Sequence, residues 1–488
     1  MGVSVIGGGF SGISASCFLA AGGCQVDLFE RHEQLGGRCR VLKAEGFSFD
    51  MGPSWYWMPD VFEQFFGSFG KHPSDYYDLV QLDPAFQLVF KGDSFSVPAS
   101  AVEIEQLFEQ IEPGSAGKLR KFLEDGAQKY AVGVGQLVYR PSHSWTEFLQ
   151  PSLMVQAIQL RLFRSMRSHV SAYFKDERLR MLMEFPVLFL GAMADRIPAL
   201  YSLMNYAAFA KGTWYPVGGM GEIVKGMEKL ARSLGVEVKT GVTMEHIHVK
   251  NGMATALKAN GQTFHTEGVI ASGDYHHMEQ RLLPEAYRNY SEAYWQKRVF
   301  APSCLLFYLG VSRKIDKLQH HNLFFDASFD AHGRAIYEQP SWPDDPLFYV
   351  CCPSKTDKSV APEGMENLFV LVPVAAGLAE TEEIKQQYLD KVITRMEQFS
   401  GTSFKDQIIY TKSYCVQDFE KDYFAYKGNA YGLANVLLQT AFLKPAMRNK
   451  KVQNLFYAGQ LTVPGPGVPP ALISGQVAAG ELLKQMKR

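Results

Sequence analysis

The first thirty residues constrain this chain more than any other stretch. Val3-Ser4-Val5-Ile6 is a short β-rich run, Gly7-Gly8-Gly9-Phe10-Ser11-Gly12 follows, and Ile13, Cys17 and Ala21 then recur at four-residue spacing before Gly22-Gly23. With residues 25–30 (QVDLFE) as the next strand, this reads as a βαβ unit. The turn has the form GxGxxG at Gly7, Gly9 and Gly12. Those glycines permit a tight turn, close approach of backbone to a pyrophosphate, and packing of helix on strand, while the helix start offers free N–H groups to the anion. Glu30 ends the second strand 18 residues after Gly12, where an acid accepts from a ribose hydroxyl. The pattern predicts a dinucleotide-binding α/β domain.

Leu35-Gly36-Gly37-Arg38 bears on which dinucleotide is bound. A second glycine pair with an arginine gives a further close backbone approach and a cation near the phosphates. An extended FAD calls for this and NAD does not. The segment 46–53, GFSFDMGP, extends the same pattern.

Three further stretches belong with the first. Ile223, Met227, Leu230 and Leu234 make a helical stripe ended by Gly235, and a strand begins at 236–238. Segments 244–249 and 253–259 are then separated and followed by the pairs Asn251-Gly252 and Asn260-Gly261, a strong hairpin signal. A β-meander is therefore expected before 268–274 (GVIASGD) returns as a core strand. Near the C-terminus a strand at 455–458 leads through Gly459 and the loop Pro464-Gly465-Pro466-Gly467 to a helix from about Pro470 to Lys487. The remaining blocks are aromatic-rich and more helical in pattern. The expected organisation is an FAD-binding domain from 1–83, 216–290 and 426–488, interleaved with a substrate domain from 84–215 and 291–425. The cleft between the two would hold the site.

Composition excludes several classes. A formal charge of −1 with 47% hydrophobic residues fits neither a disordered chain nor an electrostatic nucleic-acid binder. Seven cysteines, none spaced as CxxC, argue against a disulfide framework or a zinc site and for a reducing compartment. The apolar start lacks a basic n-region and is broken by glycines, so no secretory signal is expected. Segment 185–210 is apolar but carries Asp195, Arg196 and Pro198 in its middle, so it reads as buried or membrane-surface, not as a span. The pairs His276-His277 and His320-His321 have no carboxylate or cysteine at metal-ligand spacing, and no metal site is expected. Cys351-Cys352 reads as a buried pair of small apolar side chains.

GGGFSG, the following Glu30, GGR, GFSFDMGPS, YPVGGM at 215–220 and NLFYAGQLTVPGPGVPPALISGQVAAG together resemble the bacterial carotenoid desaturases of the phytoene desaturase type, within the amine-oxidase-like FAD flavoproteins. The resemblance implies a Rossmann-type FAD-binding domain of the glutathione-reductase kind and a second α+β substrate domain with a helical, membrane-facing region. It implies that Gly7, Gly9, Gly12, Glu30 with Arg31, Gly37 and Arg38 hold the ADP part of FAD. Met244 stands where the family usually has Val, a backbone contact to adenine. Gly459 and Gln460 would meet the pyrophosphate, and Val468 with Pro469 would lie near the isoalloxazine ring. Relatives commonly carry an acidic or small residue at Gln460. The helix beginning near Pro470 would point its positive end at the ring edge that becomes negative on reduction, worth about 0.3–2 kcal/mol.

The activity implied is FAD-dependent desaturation of phytoene toward lycopene, with oxygen or a quinone as electron acceptor. A polyene lipid needs a long apolar channel, to which Trp55, Tyr56 and Trp57 are assigned. Glu147 aligns approximately with an acidic position of relatives and reads as a solvated surface glutamate, so no catalytic residue is assigned. Rival readings are a desaturase of dehydrosqualene or of a hydroxylated carotenoid, an amine oxidase, and a non-enzymatic prenyl-lipid escort protein. The expected location is cytoplasmic and peripheral to the membrane. Docking is expected through 154–210, where Arg161, Arg164, Arg167 and Lys175 accompany Leu153, Leu160, Leu162, Phe163 and Phe174.

Overall fold

The computed structural model describes residues 1–142, 144 and 164–487. Gly2–Ile6 and Gln25–Phe29 pair in parallel with the helix Phe10–Ala21 between them. Distant stretches complete a five-stranded parallel sheet in the order Leu455–Tyr457, Gly268–Ala271, Gly2–Ile6, Gln25–Phe29, Glu237–Lys239. Helices Phe10–Ala21, Gly221–Ser233 and Val468–Met486 cover one face, and Met244, Ile247 and Leu257 of an antiparallel meander pack on the other, so both faces are buried and the strands read as near-continuous apolar runs. The final helix, Val468–Met486, starts two residues before the expected Pro470. It packs on Phe10–Ala21, where Ser14 Oγ donates to the Leu472 carbonyl at 2.7 Å.

The two Asn-Gly pairs form the hairpin turns of the antiparallel strands Met244–Lys250, Met253–Ala259 and Gln262–His265. Asn251 and Asn260 have φ of 53° and 48°, and the glycines after them 72° and 73°, as a type I′ turn requires.

The interleaved blocks are less helical than their pattern implied. They carry a seven-stranded sheet in the order Ile408–Tyr414, Ser303–Val311, Glu366–Val374, Phe348–Cys351, His321–Phe324, Phe86–Phe90, Asp93–Val97. Only the pairing of His321–Phe324 with Phe86–Phe90 is parallel. Ser303–Val311 and Glu366–Val374 are buried almost throughout, so no polar alternation marks them as strands. Their period-two alternation divides two apolar environments. Leu305, Phe307 and Leu309 pack with Tyr388, Val392 and Met396 of the helix Glu382–Ser400, whereas Cys304, Leu306 and Tyr308 face the other way, into a separate cluster.

Only part of the expected docking segment is described. Leu153, Leu160, Arg161, Leu162 and Phe163 lie outside the described residues, as does Glu147. In the remainder, Met166, Val170, Phe174, Leu179, Leu182 and Phe185 are core residues, and Arg167 pairs with Asp330 at 2.6 Å. Burying those apolar side chains in the chain's own core leaves them nothing to offer a bilayer. Among the described residues no helix is long and apolar enough to cross a membrane.

Candidate functional site

One cavity of about 700 Å³ runs from the Gly7–Gly9 turn, past the loop ending at Gly467, to the inner face of the seven-stranded sheet. At one end it is lined by backbone and polar groups. At the other it is lined by Trp55, Trp57, Leu306, Tyr349, Phe369 and Leu371. Leu306, Phe369 and Leu371 are the alternate residues whose strand neighbours pack against the Glu382–Ser400 helix. Of the three aromatics assigned to the channel, Trp55 and Trp57 line it, but Tyr56 is fully buried and stacks on Phe62.

The glycine turn is tight for geometric reasons. A Cβ on Gly12 would come within 1.8 Å of the Gly7 carbonyl oxygen, so the helix can sit this close to the strand only with glycine there. Gly12 is thus a packing residue and does not line the cavity. A Cβ on Gly9 would meet nothing within 4 Å, because that position faces the open cavity. Gly37 backs onto it, its own Cβ position lying 3.4 Å from the Gly9 Cα. The Phe10–Ala21 helix has no side-chain cap, so its first N–H groups point at the cavity unclaimed.

Glu30 is buried. Its carboxylate accepts from the Gly8 N–H at 2.8 Å and the His32 N–H at 2.9 Å. Arg31 donates to the Lys421 carbonyl at 2.7 Å and lies 4.2 Å over the Phe424 ring. Arg38 donates to the Asn429 carbonyl at 3.1 Å and lies 4.9 Å over Tyr423, but its buried Nε has no partner. Burial holds its guanidinium below the ordinary range. In the amide orientation that satisfies its neighbours, Gln460 accepts from Arg38 Nη2 at 3.0 Å and donates to the Ala430 carbonyl at 3.3 Å. The Gly459 N–H is held by Ser474 Oγ at 3.0 Å. Arg31, Met244, Gly459, Gln460 and Val468 all line the same cavity as Gly7, Gly9, Glu30, Gly37 and Arg38.

Other lining residues carried no sequence signal. His277 and Phe424 stack at 3.9 Å with 5° between their planes, beside Arg31. Ser11 Oγ and Ser272 Oγ are 2.7 Å apart, and Asp274 caps the next turn by accepting the His277 N–H at 3.0 Å. Arg40 pairs with Asp422 at 2.6 Å, which draws the Val416–Tyr423 helix from the 291–425 block over the nucleotide end. Tyr423 ends that helix and Phe424 caps it, and only the tertiary contact marks them as part of the site.

His320 and His321 are packed, and the histidine pairs have partners that sequence spacing did not show. His276 pairs with Glu292 at 2.7 Å. Residue His321 lies directly opposite Cys351 across the antiparallel ladder, and one donor atom each from His320, His321 and Cys351 falls within 4.8 Å of the others. Cross-strand register brings them together over a sequence distance that spacing rules do not cover. Burial pushes the Cys351 thiol well above its ordinary range and both imidazoles down, so all three are held neutral. The Tyr349 hydroxyl bridges His321 Nδ1 at 2.6 Å and Ser54 Oγ at 2.9 Å. Cys351 and Cys352 are both buried but face opposite sides of their strand.

Residues 10–483 match the family of flavin containing amine oxidoreductases. The chain is 42% identical over 486 residues to the carotenoid 3,4-desaturase of Haloarcula japonica, covering 99% of this chain and 98% of that one. It is 31% identical to the zeta-carotene-forming phytoene desaturase of Myxococcus xanthus, covering 99% and 93%. The chain belongs to the carotenoid desaturases within the flavin containing amine oxidoreductases. Among solved structures, an oxidoreductase from Methanosarcina mazei shares the fold with a TM-score of 0.64 at 16% identity, covering 97% of this chain and 99% of that one. This carotenoid desaturase family member is an FAD-dependent oxidoreductase acting on CH–CH bonds. Its cavity suits that cofactor: an open cradle at Gly9, an unclaimed helix N-terminus, and an arginine with a buried donor left unpaired.

Proposed function

We propose that the chain desaturates a carotenoid, drawing two hydrogens from neighbouring carbons of an acyclic chain held in the apolar half of the cavity. The observation that carries this reading is the continuity of one cavity from the Gly7–Gly9 turn to the chamber of Trp55, Trp57, Leu306 and Phe369. Bound FAD supplies the two-electron acceptor. Gly7, Gly9, Glu30, Arg31, Gly37, Arg38 and Met244 hold its ADP part, with Gly12 setting the turn. Gly459, Gln460 and Val468 hold the pyrophosphate and ring. The aromatic and aliphatic walls orient the hydrocarbon and exclude water, and a hydrocarbon needs no ion pair to bind. The electron acceptor that regenerates the cofactor is oxygen or a quinone.

Two substrates fall within this class. Identity of 42% over the whole chain favours a 3,4-type desaturation near the end of a carotenoid. The Ser54 and Tyr349 hydroxyls on the chamber wall bond to each other and to His321, so the wall accepts a hydrocarbon and leaves a hydroxylated carotenoid as a rival substrate. Desaturation of phytoene toward lycopene is the second reading, supported by the phytoene desaturase relative. Liposomes loaded separately with phytoene, lycopene or a hydroxylated acyclic carotenoid, incubated with FAD-loaded protein and analysed by pigment chromatography, separate them. No new double bond in any of the three would refute the reading.

Access to a lipid substrate calls for peripheral docking on the cytoplasmic face of a membrane. The expected surface moves to Leu437, Leu438 and Leu443, which are 51%, 76% and 40% exposed. Leu437, Thr440 and Ala441 line the cavity, so this apolar loop stands at its mouth. Side chains of this kind enter the headgroup boundary while the substrate passes.

A further inference from the structure

Lys444 is a cation for which the described residues supply no counter-charge. It is 4% exposed, its ammonium makes no hydrogen bond, and no carboxylate lies within ion-pair distance among the described residues. Burial alone pushes its amine down to about 7. An isolated ammonium in a protein interior costs several kcal/mol, and a chain carries such a group at that cost where something other than its own side chains completes it.

The surroundings indicate what completes it. A second orphan, Asn435 Oδ1, is buried beside it. Lys444 Nζ and Asn435 Oδ1 both lie 3.3 Å from the position a Cβ would take on Gly465. Gly465 sits within the loop whose Pro464, Pro466 and Gly467 line the cavity, as Asn435 does. That loop leads into the Val468–Met486 helix, whose N-terminus has no side-chain cap. One short loop of the cavity wall is thus flanked by an unpaired cation and by the positive end of a helix.

We propose that Lys444 is a positioning residue that stabilises the negative charge gained by the flavin ring on two-electron reduction. The proposal rests on the assignment of the 464–468 loop to the ring made under the proposed function. The oxidised ring is neutral and the reduced ring carries negative charge, so an amine behind the loop that is charged, or that takes up a solvent proton when the ring is reduced, favours the reduced form over the oxidised one. Burial strengthens the interaction, because a protein interior screens charge less than bulk water does. If Lys444 only filled the space behind Gly465, methionine, similar in length and uncharged, would replace it without changing the cofactor's electronics.

The test compares wild type, Lys444→Met, Lys444→Gln and Lys444→Arg as FAD-loaded proteins. Absorbance gives bound flavin, and anaerobic titration against reference dyes gives the two-electron midpoint potential. Lys444→Met and Lys444→Gln are expected to bind flavin but to disfavour reduction at least tenfold, a drop of about 30 mV. Lys444→Arg is expected to stay within threefold of wild type. Equal potentials in wild type and whichever uncharged variant folds would overturn the role of Lys444 and leave the flavin assignment standing. Wild-type protein that takes up no flavin would overturn both.

Discussion

The carbonyl oxygen of Ser11 lies 2.1 Å from where a Cβ on Gly475 would be, with Ser14 Cβ at 2.8 Å and the Ala15 nitrogen at 2.9 Å. This contact joins the first helix to the last, so the two ends of the chain share one seam. It sets how the N-terminus at Val468 is presented to the cavity. Gly475→Ala is expected to force the helices apart, costing at least about 1–3 kcal/mol. Gly480 lies on the same helix with nothing within 4 Å of its Cβ position. Gly480→Ala is expected to be neutral or stabilising by about 0.5–1 kcal/mol. Denaturant unfolding of the two variants should move in opposite directions, and equal shifts would contradict the seam.

Glu30 holds the Gly8 and His32 N–H groups and keeps further acceptor capacity toward the cavity. Hydrogen bonds to a charged acceptor are worth about 1.5–3 kcal/mol. Glu30→Ala should therefore weaken FAD binding about tenfold to a hundredfold, read by flavin fluorescence. Unchanged affinity would remove Glu30 from the cofactor site.

A pH dependence follows from Lys444. Its amine is depressed to about 7 in the folded chain, against an ordinary value of 10.5, with burial as the cause. Between those values the unfolded chain binds a proton that the folded chain does not. Stability therefore rises with pH across that window and is lost as pH falls toward 7. The stability of oxidised, FAD-loaded wild type minus that of Lys444→Met should increase from pH 7 to pH 10. A flat difference would mean that the amine is not held neutral.

Leu437 and Leu438 offer the test of docking. Replacing both with Ser should release the protein from carotenoid-free vesicles in flotation, with flavin content unchanged. Retention on the vesicles would place the contact elsewhere on the molecule.

Legibility in the sequence followed the range of the interaction. The glycine turn, Glu30, Gly36-Gly37-Arg38 and the two Asn-Gly turns were readable because each is set by backbone conformation within a few residues. The Val468–Met486 helix and the strand before it were readable for the same reason. The seven-stranded sheet was not, because strands buried on both faces lose the polar alternation that marks a strand. Nor was the burial of Phe174 and Phe185, whose surroundings have the composition of an interfacial segment and which pack in the core.

By itself the sequence determined that the chain builds a dinucleotide cradle from its first thirty residues and closes it with its last helix, since φ, period and close approach are local properties. Only the tertiary structure decided what surrounds that cradle. Arg31 over Phe424, His321 opposite Cys351 and the orphaned Lys444 behind Gly465 each depend on partners far away in the chain. The physical reason is that burial, cross-strand register and an unpaired charge are properties of a packed neighbourhood, and neighbours in space leave no fixed spacing in sequence.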